Sequence, residues 1–180
     1  MTAKECILTR RSVRKFKDTP VDHAILEGII ETASYAPSWK NTQITRYIAV
    51  EGDLKDRISK ECFDAWPNNT VITSSAPILM ALCMVTNRSG FERDGSYSTW
   101  RKDAWQMYDV GIACQTFALA CHEQGLGTVV LGIFDQDKTS ELLGIPEAQE
   151  LVALMPLGYP DEEPKCPKRK TVEDLLSYRS

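Results

Sequence analysis

Arg10-Arg11-Ser12-Val13-Arg14-Lys15-Phe16 is the stretch from which the rest of the chain can be read. From Arg10 to Lys17 five of eight residues are cationic, whereas the whole chain carries 21 Lys+Arg against 25 Asp+Glu and a net charge of -4. The cluster is therefore local and not inherited from composition. Guanidinium forks bind phosphate oxygens in pairs and a serine hydroxyl adds a further donor, so these side chains suit one terminal phosphate. A solvated basic turn or a nucleic-acid patch would use the same residues. The remainder of the chain separates the three readings.

A second polar block, Ala36-Pro37-Ser38-Trp39-Lys40-Asn41-Thr42-Gln43, follows an amphipathic segment (Ile25, Leu26, Ile29, Ile30, Ala33) and precedes a strand-like run, Tyr47-Ile48-Ala49-Val50. Pro37 disfavours helix at Ala36 and lacks a backbone donor, so the preceding helix stops and Ser38, Asn41 and Gln43 are free to face a ligand. Side-chain amides donate and accept, which suits the alternating edge of a flavin pyrimidine. An ordinary turn, with Asn and Ser bonding their own backbone, is the competing reading.

Composition narrows the class. A chain of 180 residues with 43% hydrophobic content suits one domain, one that buries about 70% of its unfolded surface. No apolar run reaches membrane-spanning length, and Met1-Thr2-Ala3-Lys4-Glu5 leads into a helix instead of a secretory signal. A soluble, cytoplasmic protein with no membrane partner is expected. A pI near 5.3 argues against nucleic-acid binding, because duplex affinity depends on neutralising many phosphates. The six cysteines contain no Cys-x-x-Cys pair and only two histidines accompany them, so no metal site is expected. Cys114 and Cys121 share a helical face with Phe117 and Ala118 and read as reduced core thiols.

Periodicity and caps give helices alternating with strands. Thr2 and Glu5 form a capping box for a helix to Thr9; Asp22 caps a second helix to about Tyr35; a third spans Leu54 to Phe63. Pro77 opens a continuous apolar strand, Ile78 to Val85. The central helix runs from near Arg101 to Gln124 with Gly125 as its left-handed stop. Strands at Thr128 to Gly132 and Leu151 to Leu157 flank a short helix, Lys138 to Leu143, and Thr171 starts the last helix. Four short strands and about six helices must share one core. The polar segment Asn87 to Thr99 carries isolated aromatics and reads as a mobile lid or a disordered surface loop. Gly125-x-Gly127 ends a helix and lacks a third glycine, so it is not a dinucleotide-binding turn.

With these blocks in order, the chain resembles the nitroreductase family almost end to end. Arg10 to Phe16 is similar to the family's Arg-Arg-Ser-x-Arg-x-Phe, and Ala36 to Gln43 to its Ala-Pro-Ser-x-x-Asn-x-Gln. Asp109-x-Gly111-x-Ala113-x-Gln115 leading into Gly125-Leu126-Gly127-Thr128 resembles the central helix and its glycine turn, and Pro167-Lys168-Arg169-Lys170 the late basic segment.

The resemblance implies an α+β fold, one domain over residues 1–180, with a central, mostly antiparallel sheet of about four strands flanked by helices and a flavin at a homodimer interface. It implies FMN as cofactor, NADH or NADPH as donor, and a nitroaromatic, quinone or similar small acceptor, reduced in ping-pong fashion through flavin N5 with no catalytic side chain. Dehalogenation, azoline oxidation or simple flavin handling use the same seat.

For the phosphate it implies Arg10, Ser12 and Arg169, with Arg11 and Lys168 behind them. Arg14 would lie near N1 and O2, and Leu131-Gly132-Ile133 would present backbone to N5. Pro37, Ser38, Trp39, Asn41 and Gln43 would meet the flavin from the partner subunit. Trp39 and Lys40 replace residues that are small in many relatives: the indole would either narrow the acceptor pocket or pack at the interface, the lysine would add positive potential near the ring, and Phe91 and Tyr97 would be acceptor contacts. A seat that closes on a terminal phosphate would bind FAD poorly. Any C-terminal arm is brief.

Overall fold

β2 (Ile78–Val85) explains the architecture. Seven of its eight residues are buried, and they divide by parity as a strand's period of two requires. Ile78, Met80 and Leu82 join Leu26, Ile29, Phe117 and Cys121 in one core cluster, whereas Leu79, Ala81 and Cys83 join Ile58, Phe63 and Leu154 in another. A strand covered on both faces needs no polar positions, hence the unbroken apolar run.

The computed structural model describes residues 1–179. Around β2 lie β1 (Thr45–Val50), β3 (Gly127–Thr128) and β4 (Gln149–Gly158) in the order β1-β2-β4-β3. Every neighbouring pair is antiparallel. The helices are α1 (Ala3–Thr9), α2 (His23–Ala33), α3 (Gly52–Glu61), α4 (Pro67–Ser75), α5 (Ala104–Glu123), α6 (Gln136–Leu143) and α7 (Val172–Leu175). α2 and α5 cover one face of the sheet and α3 and α6 supply residues to the other.

The expected caps are present: Thr2 and Glu5 form a capping box, Asp22 accepts from Ala24 N–H, and Gly125 takes φ +76°.

Two expectations are corrected. The strand expected over Thr128 to Gly132 shortens to Gly127–Thr128, after which a single bridge joins Leu131 to Leu154. Thr128 pairs with Leu157 and Leu131 with Leu154, so the chain keeps one register along β4 while Val129 and Val130 leave the ladder. The other correction is α4, which the sequence does not signal. Its Asn, Thr and Ser residues bond their own backbone, as Thr73 does to Asn69 O at 2.9 Å, and such residues disfavour isolated helix. Packing against α3 and the buried Asn69 and Thr73 hold it instead.

Two glycines seat the basic block. A Cβ on Gly127 would lie 2.6 Å from a Val13 methyl, and one on Gly158 would lie 3.3 Å from Phe16 and 2.5 Å from Pro77. Val13 thus docks into the sheet end through space that only glycine leaves, and Gly158 leaves room for Pro77, with Phe16 packed tightly beside it. Of the residues between and beside Val13 and Phe16, Arg14 and Lys15 are exposed and Ser12 is half-buried.

Candidate functional site

The block Arg10 to Lys17 is zipped between the sheet edge and the chain that leaves β4. Ser12 bridges Thr128 in parallel fashion, and Val13 N–H donates to Thr128 O at 3.1 Å. On its other side Lys17 N–H donates to Tyr159 O at 2.8 Å and Asp161 N–H to Lys15 O at 2.9 Å. Glu162 accepts from the Arg14 backbone N–H. Lys15 pairs with Asp161 at 2.8 Å, which raises the ammonium's pKa and lowers the carboxyl's. This zipper turns residues 164–169 back over the N-terminal block.

The result is a cavity of about 270 Å³ walled by Arg10, Arg11, Ser12, Arg14, Lys165 and Arg169, with Pro164 and Pro167. Five side chains in that wall are cationic and none is acidic. Arg10, Lys165 and Arg169 have no ion-pair or side-chain hydrogen-bond partner among the described residues, and Arg14 reaches only Ser12 O, at 3.3 Å. Arg11 is partly committed: its Nη1 donates to Leu8 O at 2.8 Å and Arg10 O at 2.9 Å, closing the end of α1. Lys168 is not part of the wall. The Thr128 hydroxyl, on the residue bridged to Ser12, is buried without a partner. Clustered like charges in a concave wall favour an anion, and a phosphate monoester fits this donor set. Lys165 is the residue that sequence reasoning missed; it lies outside the quoted basic segment by two positions.

The second block is built differently. Trp39–Asn41 form a 3-10 turn, and Lys40, Asn41 and Gln43 take φ of 43°, 55° and 48°. Left-handed backbone at non-glycine residues is costly and persists only where surroundings impose it. Here Asp109, 3% exposed on α5, imposes it. Its carboxylate accepts from Trp39 N–H at 3.0 and 3.1 Å and from the Thr42 hydroxyl at 3.4 Å. Ser38 Oγ accepts from Gln43 N–H at 2.9 Å, and Gln43 Nε2 donates to Asn41 Oδ1 at 3.2 Å.

Pro37, Ser38 and Gln43 also line an apolar cavity of about 530 Å³ with Leu26, Ile30 and Tyr47. Burial pushes the Tyr47 hydroxyl up to about 12, so it titrates nothing near neutrality. Cys114 is likewise pushed up to about 11 by burial, and all six cysteines are free.

Trp39 packs against Trp105 with ring centroids 4.5 Å apart and planes tilted by 37°, and Trp39 Nε1 is buried without a partner. Lys40 pairs with Glu92 at 2.7 Å, so its charge is neutralised. The Asn87 to Thr99 segment is a folded hairpin: Glu92 N–H donates to Ser96 O at 2.8 Å and Ser98 N–H to Gly90 O at 2.8 Å. Phe91 and Tyr97 face each other within it at 5.0 Å. Its seat is tight, since a Cβ on Gly90 would lie 2.2 Å from Lys102 O.

Leu131, Gly132 and Ile133 line neither cavity. Leu131 is buried, whereas a Cβ on Gly132 would meet nothing within 4 Å. Within one copy, therefore, no close approach requires glycine there. Asn69 of α4 donates to Ile133 O at 3.1 Å and fixes this segment; a helix the sequence hides supplies the anchor.

The sheet sets the two blocks far apart. From Ser12 to the β1 level are four strand spacings, and from Ile78 to Met84, opposite Thr45, are six residues. The diagonal is roughly 28 Å. A family model described as the nitroreductase family matches residues 7–159. The chain belongs to the nitroreductase family.

This nitroreductase-family chain is 25% identical to the NADH dehydrogenase of Thermus thermophilus, over 99% of this chain and 97% of that one. It is 28% identical to the NADPH-flavin oxidoreductase of Vibrio harveyi, over 92% of this chain and 68% of that one. A nitroreductase family protein of Streptococcus pneumoniae TIGR4 shares its fold, with TM-score 0.85 and 23% identity over 99% of this chain and 100% of that one. The nitroreductase-family fold is thus α+β around an open four-stranded antiparallel sheet. Among the described residues no helix is long and apolar enough to cross a membrane, and no metal-ligating cluster occurs.

Proposed function

We propose that the protein is an FMN-dependent oxidoreductase that uses NADH or NADPH to reduce small nitro, quinone or similar acceptors. The carrying observation is the cavity in which Arg10, Arg14, Lys165 and Arg169 converge with Ser12 and no carboxylate. Bound flavin would supply the two-electron carrier between donor and acceptor. The chain's own groups hold, orient and tune it. Arg10, Ser12 and Arg169 would hold the phosphate; Arg14 would lend positive potential toward the ring's N1 and O2 edge; and the main chain at Leu131 to Ile133, pinned by Asn69, would present backbone to N5. Without a dinucleotide-binding turn at Gly125 to Gly127, donor and acceptor use one face in turn.

A homodimer completes this reading. Across roughly 28 Å of sheet, the Pro37 to Gln43 turn and the phosphate cavity of one copy are too far apart to share one mononucleotide. A turn donated by a partner would meet the cavity instead. Trp100 at 78% exposure, Leu175 at 73% and Tyr178 at 85% supply apolar surface for such a partner, including a brief C-terminal arm. The working compartment is the cytoplasm.

The test is purification followed by anaerobic mixing. Stoichiometric noncovalent FMN and loss of its visible absorbance within seconds of adding NADH or NADPH are expected. Colourless protein that cannot be reconstituted, or loaded protein that neither donor bleaches, overturns the proposal.

A further inference from the structure

Beside the Trp39 turn, at the start of α5, lies a further cavity of about 380 Å³ walled by Arg101, Ala104, Trp105 and Tyr108. We infer that it is the acceptor seat and that it selects flat aromatic rings carrying a carboxylate. The inference rests on the proposed function for one point: if the Pro37 to Gln43 turn meets the partner's flavin, the ring packed against Trp39 arrives there with it.

Ala104, Trp105 and Tyr108 share one face of the first turns of α5, because residues three and four apart lie above one another on a helix. The short side chain of Ala104 leaves room beside the two rings. Trp105 is held from three directions: it packs against Trp39 at 4.5 Å, meets Tyr108 at 5.4 Å with planes 75° apart, and donates from Nε1 to Thr99 Oγ1 at 2.8 Å. Tyr108 is 62% exposed, so its ring is an open wall. Two rings set nearly at right angles offer a planar guest a face contact and an edge contact together.

The same threonine places the cation. Arg101 N–H donates to Thr99 Oγ1 at 3.3 Å, and the guanidinium lies 4.1 Å over the Trp100 ring. It has no ion-pair or side-chain hydrogen-bond partner among the described residues. A guanidinium stacked on an indole keeps its in-plane donors, and two of these match the two oxygens of a carboxylate. The carboxylates nearby do not compete. Glu92 pairs with Lys40 at 2.7 Å, Asp94 accepts from Ser96, Asp109 holds Trp39 and Thr42, and Asp103 is not part of the wall. Lys102, with Nζ 5.7 Å over the Tyr97 ring, adds positive charge on the hairpin side. A neutral ring would use only the aromatic walls, whereas an aromatic carboxylate also satisfies the one charge in the cavity.

The experiment compares para-nitrobenzoate with its neutral counterpart para-nitrobenzamide, titrated calorimetrically into FMN-loaded protein in the absence of donor. The wild type should bind the carboxylate about tenfold tighter, as for a hydrogen bond to a charged group. Arg101→Gln should abolish that preference, and Arg101→Lys, which keeps the charge without the fork, should retain part of it. Tyr108→Ala should weaken both ligands by about fivefold, the scale of an aromatic contact, and keep their ratio. In turnover with saturating donor, Arg101→Gln should raise KM for the carboxylate with kcat retained, because the charge acts on ground state and transition state alike.

The inference is overturned if the wild type shows no preference for the carboxylate, if Arg101→Gln leaves the preference intact or weakens both ligands equally, or if Tyr108→Ala affects neither. Failure of the wild type to bind FMN would overturn the flavin reading alone. The wall of this cavity comes from one chain, so the same titrations of flavin-free protein still report the preference.

Discussion

At the β3 edge of the sheet Arg10, Lys165 and Arg169 crowd one cavity without a single acidic partner, whereas at the β1 edge Asp109 engages Trp39 and Thr42 while Glu92 engages Lys40. The first region is a set of mutually repelling charges that gains stability when an anion arrives. The second is already satisfied from within, its left-handed residues locked by a buried carboxylate before any ligand is present. One corner is organised around what it would bind, the other around its own chain. Substitutions in the first corner should therefore change ligand affinity, and those in the second should change stability first.

The largest effect sharpens this contrast. Arg10→Ala or Arg169→Ala should weaken FMN by about 1.5 to 3 kcal/mol, the range for a hydrogen bond to a charged group, while riboflavin is barely affected. Fluorescence titration with both flavins checks this; equal losses would mean that the arginines act through folding. Asp109→Ala should do the reverse. Leaving Trp39 N–H and the Thr42 hydroxyl without an acceptor should cost about 1 to 3 kcal/mol of stability, read by thermal melting, yet leave the FMN to riboflavin affinity ratio unchanged. A changed ratio would break the separation of the two corners.

Arg14→Ala comes next, because it tests tuning instead of retention. The phosphate grip remains, and loss of one screened charge interaction of about 1.4 kcal/mol corresponds to a flavin potential lowered by about 30 mV for a two-electron couple. Spectroelectrochemical titration of FMN-loaded wild type and variant decides; an unchanged potential removes Arg14 from the ring edge.

The smallest effect is expected at Glu92→Gln. The pair with Lys40 is exposed, and exposed pairs contribute little. Lys40 holds the Glu92 carboxyl below its ordinary range, so its contribution is present above that range and is lost as pH falls through the lowered value. Melting temperatures across the acid range should show a slight decline in the wild type that the variant lacks.

How much of this was legible in the chain depends on the range of the interactions concerned. Caps at Thr2, Asp22 and Thr171, the left-handed stop at Gly125 and the buried run of β2 are local, and each was legible because its partners lie within a few residues. The basic block and the late basic segment were legible as charge, and resemblance ordered them. Helix α4 was not, because its polar residues have no helical preference of their own and are held by packing from elsewhere.

The sequence alone therefore determined the order of elements other than α4, the family and the identity of most cationic residues. Tertiary structure alone decided that Lys165 joins Arg10 across the chain while Lys168 does not, that Asp109 locks Trp39, and that Gly127 and Gly158 leave room for Val13 and Pro77. The physical reason is one of distance along the chain. Periodicity and caps report neighbours, whereas a like-charge cluster, a buried carboxylate's partners and the space beside a glycine are set by segments that meet only after the sheet has formed.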